Sequence, residues 1–279
     1  MSGQSRNYYD AFDAVYRESW GPLLHHGWFD GGHGTRRPAV ALQRYQDEIV
    51  ARLRLVEGGQ HALCDVGCGY GAFAAELVRR NLVAEAIAIT DSRAQVDHAR
   101  RILPRLEGFR MEESDWLDNQ LPAHSYDRVI AIESLYHFEG ADKATAIAEI
   151  SRVLSQGGLA AVALWLRRDR SFLSSAVDRG MSVWGGRFGS LATGADYCQW
   201  FAEHDLDVAV FDDVTRFFMP TIPSLLFSVL SALWTEPAAF ARISRSPVSA
   251  IRAGVALAFT WLGYSSGHLR YAIVELRKR

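Results

Sequence analysis

The segment HALCDVGCGYGAFAAEL, residues 61–77, runs from an apolar stretch through three alternate glycines into an alanine-rich stretch. The apolar stretch predicts a strand and the alanine-rich stretch a helix, so Gly67, Gly69 and Gly71 fall in the loop between them. Glycines lose more backbone entropy on ordering than other residues, and they allow close approach to a ligand. In parallel α/β sheets, ligands bind where strands end. The segment therefore predicts a ligand-binding loop.

An acidic residue precedes this loop and limits what it can bind. The glycine spacing is G-x-G-x-G rather than the dinucleotide fingerprint G-x-G-x-x-G, and Asp65 stands two residues before the first glycine. A pyrophosphate at a helix N-terminus would be repelled by a neighbouring carboxylate. A ligand that carries an ammonium group suits this position better, so the loop disfavours a nicotinamide enzyme.

From residue 61 onward, short apolar runs alternate with helical patterns. This alternating βαβα order predicts a doubly wound, mostly parallel, Rossmann-like α/β sheet. The predicted strands are 61–66, 85–90, about 107–112, 126–133, 157–165, about 206–211 and 268–276. The predicted helices are 71–80, 92–102, 142–154 and about 194–204.

The remaining segments predict additions to this sheet. A helical pattern at residues 5–20 and another that starts at Pro38 predict an N-terminal helical cover, residues 1–58, ahead of a core at 59–279. Within the core, the Gly-, Ser- and Arg-rich stretch 168–193 predicts a loop or lid. The apolar, proline-containing stretch 216–265 predicts a cap before the last strand.

Composition excludes several classes of protein. The 279 residues carry a formal net charge of -2 with 22% charged residues, which gives no bias towards nucleic acid. Pro220 and Pro223 interrupt the uncharged run 217–235, so we expect no membrane span. Three cysteines form no paired framework and predict a reducing, cytoplasmic location. The histidines near the N-terminus have no metal-ligand spacing, so no metal site is expected.

Four segments in order resemble the motifs of class I S-adenosylmethionine-dependent methyltransferases. They are LCDVGCGYGAFA at 63–74, AIAITDSRAQVDHAR at 86–100, EESDWLDNQLPAHSYDRVIAIESLYHF at 112–138 and ISRVLSQGGLAAVAL at 150–164. They are most similar to the branch that contains tocopherol, sterol and rebeccamycin-type natural-product methyltransferases. The resemblance implies the cofactor S-adenosylmethionine and the product S-adenosylhomocysteine.

The resemblance also implies roles for residues of the first motif and the second strand. Gly67, Gly69 and Gly71 would cradle the methionine and ribose, with Asp65 near the methionine ammonium. Thr90 ends the second strand, where many methyltransferases carry an acidic residue that binds ribose. Two further candidates for that ribose contact, which stay open, stand beside it: Asp91 and Gln95.

The third motif supplies the adenine contacts that the resemblance implies. Asp115 would accept a hydrogen bond from the adenine amino group, and Trp116 would stack on the adenine face. The sequence leaves two other interpretations open: Asp115 as a helix cap and Trp116 as an ordinary core aromatic.

Two residues directly after the fourth strand are candidates for catalysis. His137 is a candidate base near neutral pH, and Tyr8 or Tyr9 from the cover would orient it. Glu133 would accept a hydrogen bond on the cofactor side or stabilise a cation during carbon methylation. A purely structural histidine remains an alternative for His137.

The function that the sequence predicts is methyl transfer from S-adenosylmethionine to an apolar or aromatic small-molecule metabolite. Oxygen, nitrogen and carbon acceptors all stay open, as does the oligomeric state. Two alternatives remain: a protein of this fold that binds the cofactor but serves as a cyclase or scaffold, and a lipid methyltransferase at a membrane surface. No nucleic-acid partner is expected.

Overall fold

The computed structural model of the chain describes residues 25–30, 38–185, 190–224 and 247–279. Its centre is a seven-stranded sheet in the order β3-β2-β1-β4-β5-β7-β6. Strand β7 is antiparallel to both of its neighbours, and the strands from β3 to β5 are parallel. The predicted Rossmann-like sheet of seven strands is confirmed.

The strands agree with their predicted positions to within a few residues. They are β1 Ala62–Val66, β2 Glu85–Thr90, β3 Phe109–Glu113, β4 Tyr126–Ile132, β5 Leu154–Arg167, β6 Leu206–Asp213 and β7 Leu269–Lys278. The helices are α1 Pro38–Arg52, α2 Ala72–Arg79, α3 Arg93–Ile102, α4 Asp142–Val153, α5 Phe172–Gly185, α6 Gly194–Glu203, α7 Thr215–Phe218 and α8 Pro247–Ser265. Two 3-10 turns, Trp116–Asp118 and Leu135–His137, precede and follow β4.

Strand β1 lies between β2 and β4, and its side chains are buried from Leu63 to Val66. Both faces of such a strand are covered, which is why it reads as a continuous apolar run in the sequence. The chain continues from β2 outward to β3 but crosses to β4 on the other side of β1. This reversal creates a crevice at the carboxyl ends of β1, β2 and β4.

The prediction of a loop over 168–193 is wrong, because most of this segment is helix α5. Its inward positions are Ser174, Val177, Asp178 and Met181, which are all buried. Their spacing is helical, but two of the four are polar, so the apolar period is too weak to detect in the sequence.

The described parts of the predicted cover and cap pack on each other. The Trp28 amide donates to the Ala41 carbonyl at 2.8 Å, and the Phe29 amide donates to the Phe217 carbonyl at 2.9 Å. The helix predicted at residues 5–20 lies outside the described residues. In the part of the chain that the structure describes, no helix has the length and apolar character needed to cross a bilayer.

Candidate functional site

A cavity lies at the crevice between the carboxyl ends of β1, β2 and β4. Most of the residues that the sequence assigned to cofactor binding and catalysis meet there. The predicted residues that line it are Asp65, Gly67, Gly69, Thr90, Asp91, Gln95, Trp116, Glu133 and His137. Residues from three separate motifs are therefore brought into one site.

The loop after β1 is shaped by glycines in the left-handed region. Gly67 and Gly69 have φ angles of 71° and 57°. The amides of Gly67 and Cys68 both donate to the Ile89 carbonyl, at 2.9 and 3.0 Å. A Cβ at Gly67 would lie 2.4 Å from the Cβ of Ser134. A side chain at Gly67 would push this loop away from the residues that follow β4.

Gly71 is not among the residues that line this cavity, and its contact with the cofactor stays a prediction. It precedes α2 with a φ of 67°. A Cβ there would lie 3.2 Å from Phe109, 3.3 Å from the Met111 sulfur and 3.4 Å from Ala88. The missing side chain lets α2 pack closely on β2 and β3.

Asp65 is a buried carboxylate at the cavity wall, with 4% of its surface exposed. Burial raises its pKa to about 7. No hydrogen bond or ion pair joins its side chain to another described residue. A buried carboxylate is costly to ionise without a partner. A cationic ligand group would supply that partner.

The end of β2 carries a buried polar cluster beside the cavity. The Thr90 hydroxyl donates to the Gln95 side-chain oxygen at 2.6 Å. The Ser92 hydroxyl caps α3 by accepting from the Gln95 amide at 3.3 Å. Asp91 is also buried there. The three residues predicted to lie near the ribose are thus adjacent and fixed in position.

Of the two residues predicted to contact adenine, the structure places only Trp116 in the cavity lining. Trp116 is buried at the cavity wall, and its Nε1 donates to the Ala146 carbonyl at 3.0 Å. Asp115 is exposed and outside the cavity lining. Its Oδ1 caps the 3-10 turn by accepting from the Leu117 amide at 3.0 Å. A contact between Asp115 and adenine stays a prediction.

Glu133 is the centre of a buried hydrogen-bond network. Its carboxylate accepts from the His26 amide at 2.8 Å, from His26 Nδ1 at 2.9 Å, from Trp165 Nε1 at 3.2 Å and from the Tyr271 hydroxyl at 2.9 Å. The Tyr271 hydroxyl also lies 3.2 Å from that of Tyr45 on α1. Four segments of the chain are therefore held at one side chain.

This environment fixes the charge of Glu133. Burial alone raises the pKa of the carboxyl, but the charge and hydrogen bonds of His26 outweigh burial, so the pKa lies below its usual value. Glu133 also has a φ of 52°, in the left-handed region that non-glycine residues seldom adopt. An ionised carboxylate that already accepts four hydrogen bonds is a poor base. The network holds Glu133 in place, and its roles as a cofactor-side acceptor or a stabiliser of a cation stay predictions. The sequence missed its partners His26 and Tyr271.

Two histidines line the cavity next to Glu133. His25 Nδ1 lies 2.8 Å from the His26 carbonyl oxygen, and burial lowers its pKa. The pKa of His137 is lowered to about 3 by burial and by the charge of Lys143, against the opposing effect of Glu133. Lys143 itself is buried and donates to the Phe138 carbonyl.

The low pKa bears on one prediction about His137. A pKa of about 3 favours the neutral imidazole near pH 7 and disfavours a group at His137 that titrates there, while its role as a base stays a prediction. Its predicted partners Tyr8 and Tyr9 lie outside the described residues. Among the described residues, no group of three or more His, Cys, Asp and Glu side chains is placed to hold a metal ion.

Part of the chain matches a known protein family. Residues 64–162 match the family model described as "Methyltransferase domain". The chain is 31% identical to 27-O-demethylrifamycin SV methyltransferase of Amycolatopsis mediterranei over 54% of this chain and 54% of that protein. Three curated relatives of this kind are matched over 42 to 58% of their own length.

Solved structures share the fold over nearly the whole chain. The [4+2]-cyclase SpnF superposes with a TM-score of 0.78 at 24% identity, covering 100% of this chain and 96% of SpnF. The mycolic acid cyclopropane synthase CmaA1 in complex with S-adenosylhomocysteine superposes with a TM-score of 0.79 at 16% identity, covering 98% and 96%. At these identities the likeness shows a common fold.

Proposed function

Because residues 64–162 match a methyltransferase-domain model, we propose that the protein transfers a methyl group from S-adenosylmethionine to an apolar small molecule. The observation that carries the proposal is the buried Asp65 carboxylate, which has no partner among the described residues, beside the left-handed loop of Gly67 and Gly69. When bound, S-adenosylmethionine supplies an electrophilic methyl group on a sulfonium centre.

The residues of the cavity fit this cofactor. Asp65 would pair with the methionine ammonium, and the buried Ser134 hydroxyl, which has no hydrogen-bond partner in the described part of the chain, adds a second polar group at the wall. Thr90 and Gln95 lie where ribose hydroxyls are expected, and Trp116 offers an aromatic face for adenine. The same Asp65 carboxylate would repel a dinucleotide pyrophosphate.

The acceptor side of the cavity is apolar and aromatic, which supports an apolar substrate. Ile132, Tyr136 and Phe138 line it, and the Tyr136 ring lies 5.4 Å from that of Trp165. The chain's own contribution is to orient the acceptor and exclude water. The proposal includes an oxygen, nitrogen or carbon atom as the methyl acceptor and a place in specialised metabolism. It also includes the predicted cover and cap as substrate-binding units. A cytoplasmic location, which the three free cysteines support, is part of the proposal too.

A specific observation favours a second candidate, a protein of this fold that binds the cofactor but acts as a cyclase. Glu133 is saturated with hydrogen bonds and His137 has a pKa of about 3, so neither is an effective base near neutral pH. A rearrangement that needs no proton removal suits such a cavity. Methyl transfer fits the same cavity only where the acceptor loses no proton or loses it to water.

The experiment that tests the proposal has two stages. Calorimetry should show binding of S-adenosylmethionine and S-adenosylhomocysteine but not of a nicotinamide dinucleotide. Gly69→Val, which places a branched side chain in the left-handed loop, should remove that binding while the circular dichroism spectrum is retained. Release of S-adenosylhomocysteine with a panel of apolar hydroxy, amino and alkene substrates then separates transfer from cyclisation. Wild-type affinity in Gly69→Val would contradict the site.

A further inference from the structure

Helices α5 and α8 form an antiparallel pair over the acceptor side of the cavity. A Cβ at Gly180 would lie 2.4 Å from the Phe259 ring, and a Cβ at Gly263 would lie 2.7 Å from Val177. The two helices therefore pack along most of their length, with the start of α5 beside the end of α8. Ser174 and His268 confirm this arrangement, since their side chains lie 3.0 Å apart.

The inner side of this pair borders the catalytic side of the cavity. Tyr264 on α8 is buried, and its ring centroid lies 6.2 Å from that of Trp165 and 6.5 Å from that of His26. Trp165 and His26 are both donors to Glu133. The α5–α8 pair thus packs against the residues that hold Glu133 at the cavity wall.

The outer side of the same pair exposes large apolar side chains. Phe172 is 84% exposed and Leu173 is 58% exposed at the start of α5, while Trp261 and Leu262 are each 50% exposed near the end of α8. These four residues, which we call the docking face, lie at the same end of the helix pair. Clustered exposed apolar groups of this size mark interaction surfaces.

Basic side chains border the docking face. Arg179 lies on α5 seven residues after Phe172, which places both on the same side of the helix, and its side chain is exposed. It forms no ion pair with a described residue. Arg168 and Arg170 are exposed just before α5, where they contact Asp169 at 3.6 Å and Asp196 at 2.6 Å. The exposed guanidinium of Arg179, which has no ion pair among the described residues, places a positive charge beside these apolar groups.

We propose that the docking face binds an anionic lipid surface. Phe172, Leu173, Trp261 and Leu262 enter the headgroup region, and Arg179 contacts lipid phosphate. A helix with an aromatic and aliphatic face and a flanking arginine lies in a membrane interface in this way. Attachment through the α5–α8 pair would hold the acceptor side of the cavity close to the lipid bilayer, in which an apolar substrate dissolves. This goes beyond methyl transfer and does not depend on it.

Co-sedimentation of the full chain with vesicles tests the proposal. Phosphatidylcholine vesicles that contain phosphatidylglycerol should bind the wild type, pure phosphatidylcholine vesicles should bind it less, and added salt should weaken binding. Phe172→Ser should lower the partition coefficient by about tenfold. Arg179→Gln should lower it by about fivefold, and only on the anionic vesicles.

A matched control uses an exposed apolar residue away from the docking face. Val208 on β6 is 36% exposed, and Val208→Ser should bind vesicles as the wild type does. The proposal is overturned if the wild type stays in the supernatant with both vesicle types, or if Val208→Ser loses as much binding as Phe172→Ser. The affinity of Phe172→Ser for S-adenosylmethionine, measured by calorimetry, should equal that of the wild type, which separates this inference from the proposed function.

Discussion

The two halves of the cavity are built in different ways. On the cofactor side, Asp65, Gly67 and Gly69 lie within one five-residue stretch at the end of β1, and Thr90 and Gln95 lie within one six-residue stretch. On the acceptor side, Glu133 joins His26, which is 107 positions away, and Tyr271, which is 138 positions away. The cofactor side is therefore encoded locally, whereas the acceptor side exists only after the whole sheet has folded.

The largest effect should come from breaking the network of the acceptor side. In Glu133→Gln, an amide NH₂ replaces one oxygen of a carboxylate that accepts four hydrogen bonds, so donors face donors. Breaking a buried ionic network of this kind costs about 3–5 kcal/mol of the free energy of unfolding. Chemical denaturation measures this loss.

The matched control for this variant is Glu139→Gln, which changes an exposed carboxylate in the same connection between β4 and α4. Its free energy of unfolding should stay within about 0.5 kcal/mol of the wild type. Equal losses in the two variants would show that the Glu133 network does not hold the acceptor side together.

On the cofactor side, the pH dependence of binding should report the buried Asp65. Its pKa is raised to about 7 by burial, and the ionised form is the one that pairs with an ammonium. Below that pKa the carboxyl must lose a proton before it can bind. The affinity for S-adenosylmethionine should therefore fall by about tenfold per pH unit below 7 and level off above it.

The same raised pKa has the opposite effect on the stability of the unbound protein. A carboxyl whose folded pKa lies above its unfolded value is destabilising when ionised, so this contribution worsens as pH rises from about 4 to about 7. Asp65→Asn should remove both pH dependences. Titration calorimetry between pH 5 and 8 measures the first, and an affinity that is flat with pH in the wild type would refute the assignment.

A smaller effect is expected at His137, where the sequence predicted a base. With a pKa of about 3, its imidazole should show no titration by NMR between pH 5 and 8. Lys143→Met removes the buried charge that helps to lower this pKa, so the His137 resonances should then titrate at a higher pH. His137→Gln should keep turnover within about threefold of the wild type, since no proton transfer is lost. A loss of turnover of about 100-fold or more in His137→Gln would show that His137 acts as a base.

The fold was predictable because its signals are short in range. Strands such as β2 are buried on both faces and read as apolar runs, and residues 64–162, which contain two of the quoted motifs and most of the other two, match the model described as "Methyltransferase domain". Helix α5 was missed because polar Ser174 and Asp178 occupy two of its buried positions. The Glu133 network was missed because no local pattern relates His26 to Tyr271. Nor does the clearest motif reveal that Gly71 allows α2 to pack closely on the sheet, because its neighbours Phe109 and Met111 lie on a strand far along the chain.

The smallest effect concerns Asp115, the predicted cofactor residue that the structure leaves exposed. Its Oδ1 caps the 3-10 turn through the Leu117 amide. Asparagine caps about as well as aspartate, so Asp115→Asn should leave the free energy of unfolding nearly unchanged, while Asp115→Ala should cost about 1 kcal/mol. If the residue acts only as a cap, Asp115→Asn should bind S-adenosylmethionine within about twofold of the wild type by calorimetry, since an exposed carboxylate contributes little. A tenfold loss in Asp115→Asn, with stability retained, would instead show that Asp115 turns towards adenine when the cofactor binds.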